Sequence, residues 1–256
     1  MDEYFIKQQS RSDAVPSRPP GPLYPSYVDL DPYIDCARLS ALDFYLRDRL
    51  ERRMQRARDL KFHTGPFLLD GRAPDRPGPR MVYLSRSSRP DDYYDLDRTE
   101  LWEPSEEAAE FSELMDFLAT LPFEATGRML IIYDEDGREV PAHRDHDSAE
   151  LCHEFVWLRT NFAKPFYMLD PASGEKLYVR SHSAWFDTVN QFHGADPSGG
   201  LSFSIRVDGR FAEPFRSLIP FPASRRSAAP ALWVGAGARR AECNQSPARS
   251  VLAADR

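Results

Sequence analysis

The chain has 256 residues, of which 41% are hydrophobic and 12% aromatic, and its net charge is −7. That is enough apolar material for one large domain with a packed core, which excludes a wholly disordered chain. The acidic balance argues against nucleic acid as a partner, because phosphate recognition needs a concentrated basic surface.

Cys36, Cys152 and Cys243 are odd in number and lack metal-type spacing, so no disulfide framework is implied. The first residues, Met-Asp-Glu-Tyr-Phe-Ile-Lys, contain no apolar targeting region, and no run reaches the length of a membrane span. The expectation is a cytoplasmic chain without a membrane partner.

Residues 1–34 read as a proline-rich arm, with Pro16, Pro19, Pro20, Pro22 and Pro25 close together, extended rather than packed. Residues 35–120 read as a helical and loop extension. From Asp35 to Asp59, Leu39, Leu42, Leu46 and Leu50 recur at helical spacing, opposite an arginine-rich solvated face. A second helix follows Pro104-Ser-Glu-Glu, whose proline and acids suit a first turn. It shows Ala108, Phe111, Leu114, Met115 and Leu118 on one face and ends before Pro122. Met81 to Leu84 reads as a short strand.

From Gly127 the period changes. Arg128 to Tyr133 reads as a strand, Asp134 to Gly137 as a turn, and Val140 to His143 as the returning strand. Further strands are expected over 154–160, 166–169, 176–179, 183–186, 191–194 and 201–207. About eight short strands without intervening helices predict a mainly β fold with N-terminal helices, a barrel-like jelly roll spanning 121–221. Residues 222–256 read as a flexible tail without periodicity.

Two stretches carry chemistry. Pro141-Ala-His-Arg-Asp-His-Asp147 places His143 and Asp145 two positions apart, on one face of an extended segment. Gln191-Phe-His-Gly-Ala195 adds His193 from a late strand, expected to face the first across the barrel mouth. Two imidazoles and a carboxylate with open positions are the ligand set of oxygen-activating Fe(II) sites. His146 and Asp147 are rival ligands in the same stretch; His146 points away from His143 on a strand and is assigned to the surroundings or to substrate. Equally, the stretch could be a charged loop. His153 and His182 have no carboxylate two residues away, and His63 lies beside a loop.

In Leu201-Ser-Phe-Ser-Ile-Arg-Val207, alternation sets Ser202, Ser204 and Arg206 on the face opposite Leu201, Phe203, Ile205 and Val207. Arg206 could pair with Asp208 or Asp187, or hold an anion such as a dicarboxylate co-substrate, with Ser204 donating a hydroxyl to it. Arg159, with Trp157 and Asn161 on its face, is either a buried ion-pair partner or a second anion contact. Trp185 and Phe186 read as core.

Taken in order, His143-x-Asp145, Arg159 in Leu-Arg-Thr-Asn, Gly174-Glu175, Ala184-Trp185-Phe186-Asp187, His193-Gly194 and Arg206-Val-Asp208 resemble the aspartyl/asparaginyl β-hydroxylase family. This is a branch of the Fe(II)- and 2-oxoglutarate-dependent dioxygenases that also contains proline hydroxylases. Leu121-Pro-Phe and Gly127-Arg128 look like its lead-in strand, and the resemblance covers about residues 120–212.

It implies a double-stranded β-helix with His143, Asp145 and His193 holding Fe(II). It further implies Arg206 on the distal carboxylate of 2-oxoglutarate and Arg159 on a carboxylate near the metal. Some relatives have a histidine where this chain has Asn161, and founding animal members lack the carboxylate supplied here by Asp145. The activity so implied is hydroxylation of an amino-acid side chain, a peptide or a small amino-acid-like metabolite, with release of succinate and CO₂. The alternative is a cupin-like module that binds a metal or a small acid without oxidation.

Overall fold

The computed structural model describes residues 27–56, 60–61, 79–88, 98–145, 154–170, 173–188, 191–213, 215–219 and 233–234. Eight consecutive strands form its centre: β6 (Phe123–Asp134), β7 (Val140–His143), β8 (Phe155–Leu158), β9 (Phe166–Leu169), β10 (Lys176–Tyr178), β11 (Ser183–Trp185), β12 (Phe192–Ala195) and β13 (Ser202–Phe211). The larger sheet carries them in the order β11-β8-β13-β6 and the smaller in the order β10-β9-β12-β7. The first, third, sixth and eighth strands thus share one sheet, and the second, fourth, fifth and seventh share the other. This interleaving is the double-stranded β-helix, or jelly roll.

Short strands extend the larger sheet on both sides. β1 (Tyr27–Asp29) pairs with β11 and with β14 (Trp233–Val234) at one edge. β3 (Arg80–Tyr83) pairs with β6 and with β2 (Leu60–Lys61) at the other. β4 (Ser85–Ser87) and β5 (Trp102–Pro104) form a separate ribbon.

β1 and β14 fall in the segments expected to be an unpacked arm and a flexible tail. Tyr27, Val28 and Leu30 are in fact fully buried. Strands of two or three residues are too short to show a period, so only their sheet partners reveal them.

The helices are α1 (Cys36–Ala41), α2 (Asp43–Arg56) and α3 (Ser112–Leu118). Asp35 caps α1, its carboxylate accepting from the Arg38 N–H at 2.9 Å. The single helix expected from Asp35 is divided at Leu42, whose N–H donates to the Leu39 carbonyl three residues back and tightens the turn. Leu39, Leu42, Leu46 and Leu50 are buried as the periodicity requires, each contributing about 1.5–3 kcal/mol of transfer free energy. The second expected helix begins as a 3-10 segment, Glu106–Phe111, capped by Ser105, before it becomes α3.

These helices share one core cluster with one face of the larger sheet, including Met129, Ile131, Val156, Leu158, Ile205 and Val207. The opposite face carries the row Leu130, Arg206, Trp157 and Ala184 across β6, β13, β8 and β11. Trp157 stacks on Phe166 of the smaller sheet with ring centroids 4.5 Å apart. This second face therefore looks into the barrel.

β6 runs well beyond the expected 128–133, and β13 beyond 201–207, because each is the other's partner over most of its length. Their register shifts between Val207↔Met129 and Gly209↔Thr126, so β6 bulges at Gly127 and Arg128. The Ser85 hydroxyl fills the gap, donating to the Gly127 carbonyl at 3.0 Å and accepting from the Met129 N–H at 2.7 Å.

Candidate metal centre

β7 and β12 are direct neighbours in the smaller sheet, and His143 and His193 are register partners. The two histidines therefore meet side by side on adjacent strands, rather than across the mouth as the sequence suggested. Their ring centroids lie 4.5 Å apart. Asp145 follows the end of β7 and is fixed by its own N–H, which donates to the Thr188 carbonyl at 2.8 Å.

The Asp145 Oδ1 lies 3.5 Å from His143 Nε2 and 3.3 Å from His193 Nε2. One ligand atom from each of the three residues lies within 4.8 Å of the others. Donors at 2.0–2.2 Å from one ion, mutually at right angles, would be separated by about 3 Å, so the set is close to the face of a coordination polyhedron.

Proton placement suits the same purpose. His143 Nδ1 lies 2.8 Å from the Pro141 carbonyl and His193 Nδ1 lies 3.2 Å from the Gln191 carbonyl. A carbonyl only accepts, so each Nδ1 carries the proton and each Nε2 presents its lone pair toward Asp145.

Burial opposes the charge on Asp145, but its contacts with His193 and His143 and the guanidinium of Arg206 outweigh it and hold the carboxyl well below its usual range. Burial pulls the His193 imidazole down, against the opposing pull of Asp145. On His143 burial acts the same way, but Asp145 and the Pro141 carbonyl outweigh it and raise the imidazole. The His143 side chain is 32% exposed and that of His193 6%, so the site opens on the His143 side.

Behind the three residues lies a ladder of buried charges. Arg206 Nη1 donates to Asp145 Oδ2 at 3.0 Å, while its Nε donates to Asp208 Oδ1 at 2.9 Å. Its plane lies over the Phe155 ring, 4.1 Å from the centroid. Arg206 Nη2 is 2.9 Å from the same Asp208 oxygen, yet it is buried without a properly angled hydrogen bond. Asp208 is fully buried, and its Oδ2 accepts from Arg128 Nε at 2.9 Å. A buried guanidinium Nη2 that has the charge of Asp208 beside it but no well-angled hydrogen bond, next to a three-donor face, fits a ligand that carries a carboxylate.

The other sequence candidates are spread more widely. Trp157 neighbours Arg206 across the sheet, and its stacking partner Phe166 lies 5.9 Å from His193. Ser204 lies on the face of Arg206, half-buried and opposite Ile132. Arg159 donates to the carbonyls of Val179, Ser181 and Lys164 and sits over the Trp157 and Phe162 rings. Asn161 turns toward α2, donating to Asp43 while its own carbonyl accepts from the Ala163 N–H.

His146, Asp147, His63 and His153 lie outside the described residues. Arg128 was not singled out from the sequence. The available signal was its parity with Leu130 and Ile132 on a strand facing Arg206.

No family model matches the chain, and no curated protein matches it. Among solved structures it is similar to a Pseudomonas putida prolyl-4-hydroxylase, with a TM-score of 0.41, 12% identity and coverage of 82% of this chain and 99% of that one. It is also similar to a Trichoplax adhaerens prolyl hydroxylase in complex with a hypoxia inducible factor peptide fragment, with a TM-score of 0.40, 8% identity and coverage of 83% and 91%. A third is the non-heme alpha ketoglutarate dependent epimerase of nogalamycin biosynthesis, with a TM-score of 0.36, 11% identity and coverage of 91% and 95%. These likenesses are low in identity and TM-score, and the topology and site stand on their own geometry. No helix among the described residues is long and apolar enough to cross a membrane.

Proposed function

We propose that the chain is an Fe(II)- and 2-oxoglutarate-dependent dioxygenase that hydroxylates an amino-acid side chain, a peptide or a small amino-acid-like metabolite. The reading is carried by one observation. His143, His193 and the Oδ1 of Asp145 converge on one point, while Arg206 holds the other oxygen of the same carboxylate. The sequence resemblance to aspartyl/asparaginyl hydroxylases supports the same assignment and suggests residues 121–221 as the catalytic unit. A cytoplasmic setting would keep the iron reduced.

The ligand set selects a metal that accepts two imidazoles and one carboxylate and keeps open positions. Iron(II) held there, with 2-oxoglutarate and O₂, would supply oxidation of an unactivated C–H bond, releasing succinate and CO₂. The chain's own part is orientation and exclusion. The Pro141 and Gln191 carbonyls fix the imidazole tautomers, and Arg206 aims Oδ1 of Asp145 at the histidines. Trp157, Phe166 and Phe186 close the barrel side of His193 against water. Arg206 keeps one N–H for the co-substrate's carboxylate, and Ser204 is the neighbouring hydroxyl on that face.

The test is substrate-stimulated release of succinate across a panel of amino acids, peptides and metabolites. Release is expected to require Fe(II) and to fall at least about a hundredfold in His143→Ala. Succinate formed equally without iron would sink the reading. Metal binding without any 2-oxoglutarate binding would favour the cupin-like module instead.

A further inference from the structure

Arg206 is pinned on three sides. Asp208 takes its Nε edge, the Phe155 ring covers a face, and Asp145 receives Nη1. Only the Nη2 end lacks a well-made hydrogen bond. Asp208 is shared with Arg128, which approaches its second oxygen through Nε alone. Among the described residues, Nη1 and Nη2 of Arg128 have no hydrogen-bond acceptor, and the side chain is 13% exposed. Its position is built rather than incidental: the β6 bulge re-aims it, and the buried Ser85 hydroxyl holds the bulge.

Charge bookkeeping gives these contacts a direction. Asp145, Asp208, Arg206 and Arg128 together are neutral. Once the charge of Asp145 is matched by a bound cation, two guanidiniums face the single carboxylate of Asp208. An excess positive charge inside a barrel is costly unless an anion joins it.

The geometry points to Arg128 as the second arm of a carboxylate clamp. The far carboxylate of a dicarboxylate is held between Arg206 Nη2 and the unused fork of Arg128, with Asp208 as the spacer that fixes the two guanidiniums. This rests on the dioxygenase reading for the identity of the dicarboxylate as 2-oxoglutarate. Arg206 then has two tasks, orienting Asp145 and binding the carboxylate, whereas Arg128 has only the second.

The experiment titrates the Mn(II)-loaded protein calorimetrically under anaerobic conditions with 2-oxoglutarate, succinate and 2-oxobutyrate. The last has the keto-acid head without the far carboxylate. Arg128→Gln is expected to weaken 2-oxoglutarate and succinate at least about tenfold while leaving 2-oxobutyrate and Mn(II) within about twofold. Arg128→Lys, a point charge without the fork, should fall between and controls for folding.

Unchanged 2-oxoglutarate affinity in Arg128→Gln overturns the clamp and leaves the dioxygenase reading in place. So does equal weakening of 2-oxobutyrate. Wild-type protein that binds succinate through Arg128 but ignores 2-oxoglutarate keeps the clamp and overturns the dioxygenase reading. Binding of neither dicarboxylate by wild type overturns both.

Discussion

Gly194 on β12 sits against β7 with no room for a side chain. A Cβ there would lie 2.6 Å from the Val140 carbonyl oxygen and 2.7 Å from the Tyr167 hydroxyl. Backbone cannot yield as a flexible side-chain tip can, so Gly194→Ala must push β12 off β7 and separate His193 from His143. The expected outcome is a loss of about 1–3 kcal/mol of stability, together with a Mn(II) affinity at least about tenfold weaker. Thermal melts and metal titration read the two effects separately. At this scale the sequence was informative where residues are close in the chain. The pairing of His143 with Asp145 follows from strand geometry alone, and His193-Gly194 and Arg206 stood out through their order in the resemblance. Arg128 was not legible, because its meaning depends on Asp208, 80 positions away. Nor could spacing show that Arg206 would bond to Asp145 as well as to Asp208.

Among the elements, β6 shows how a strand can place a side chain through an irregularity. Alternation reveals a strand from Arg128 onward, but the interrupted pattern at Gly127 hides its first half, which exists because β13 pairs with it. The bulge at that interruption relies on one side chain. Ser85→Ala removes a buried donor to Gly127 and a buried acceptor for Met129, at an expected loss of about 1–3 kcal/mol. If the bulge aims Arg128, the same variant should bind 2-oxoglutarate more weakly while its Mn(II) affinity stays near wild type. Calorimetry with both ligands checks this, and equal affinity for 2-oxoglutarate would detach the bulge from the site. The helical shell was easier to read, since leucines at helical spacing bury as expected. Only the division at Leu42 and the 3-10 start before α3 depend on local hydrogen bonding that composition does not show.

Over the whole molecule, the helical extension is tied down by acids that folding makes stronger. Burial disfavours the charge on Asp43, yet Thr160, Arg47 and Asn161 overcome it and lower its pKa. On Glu110 burial is likewise overcome, by Arg53 and Arg56. A carboxylate lowered by folding contributes stability above its unfolded value, here 3.8 for Asp43 and 4.5 for Glu110, and loses it as pH falls through the folded value. Urea midpoints should therefore be level from neutrality to about pH 5 and decline below it. The double variant Asp43→Asn with Glu110→Gln should be less stable at neutrality by about 1 kcal/mol per site, with a shallower acid decline. An unchanged slope would remove these two sites from the account. A last consequence concerns time rather than geometry. β13 is the final core strand to be synthesised, yet it lies between β8 and β6 in the larger sheet. Until residue 211 has emerged, both neighbours show an open edge and Asp145 has no arginine to orient it. Assembly of this barrel is consequently a late event, dominated by distant pairings, and its unfinished forms are the ones that need shelter from one another.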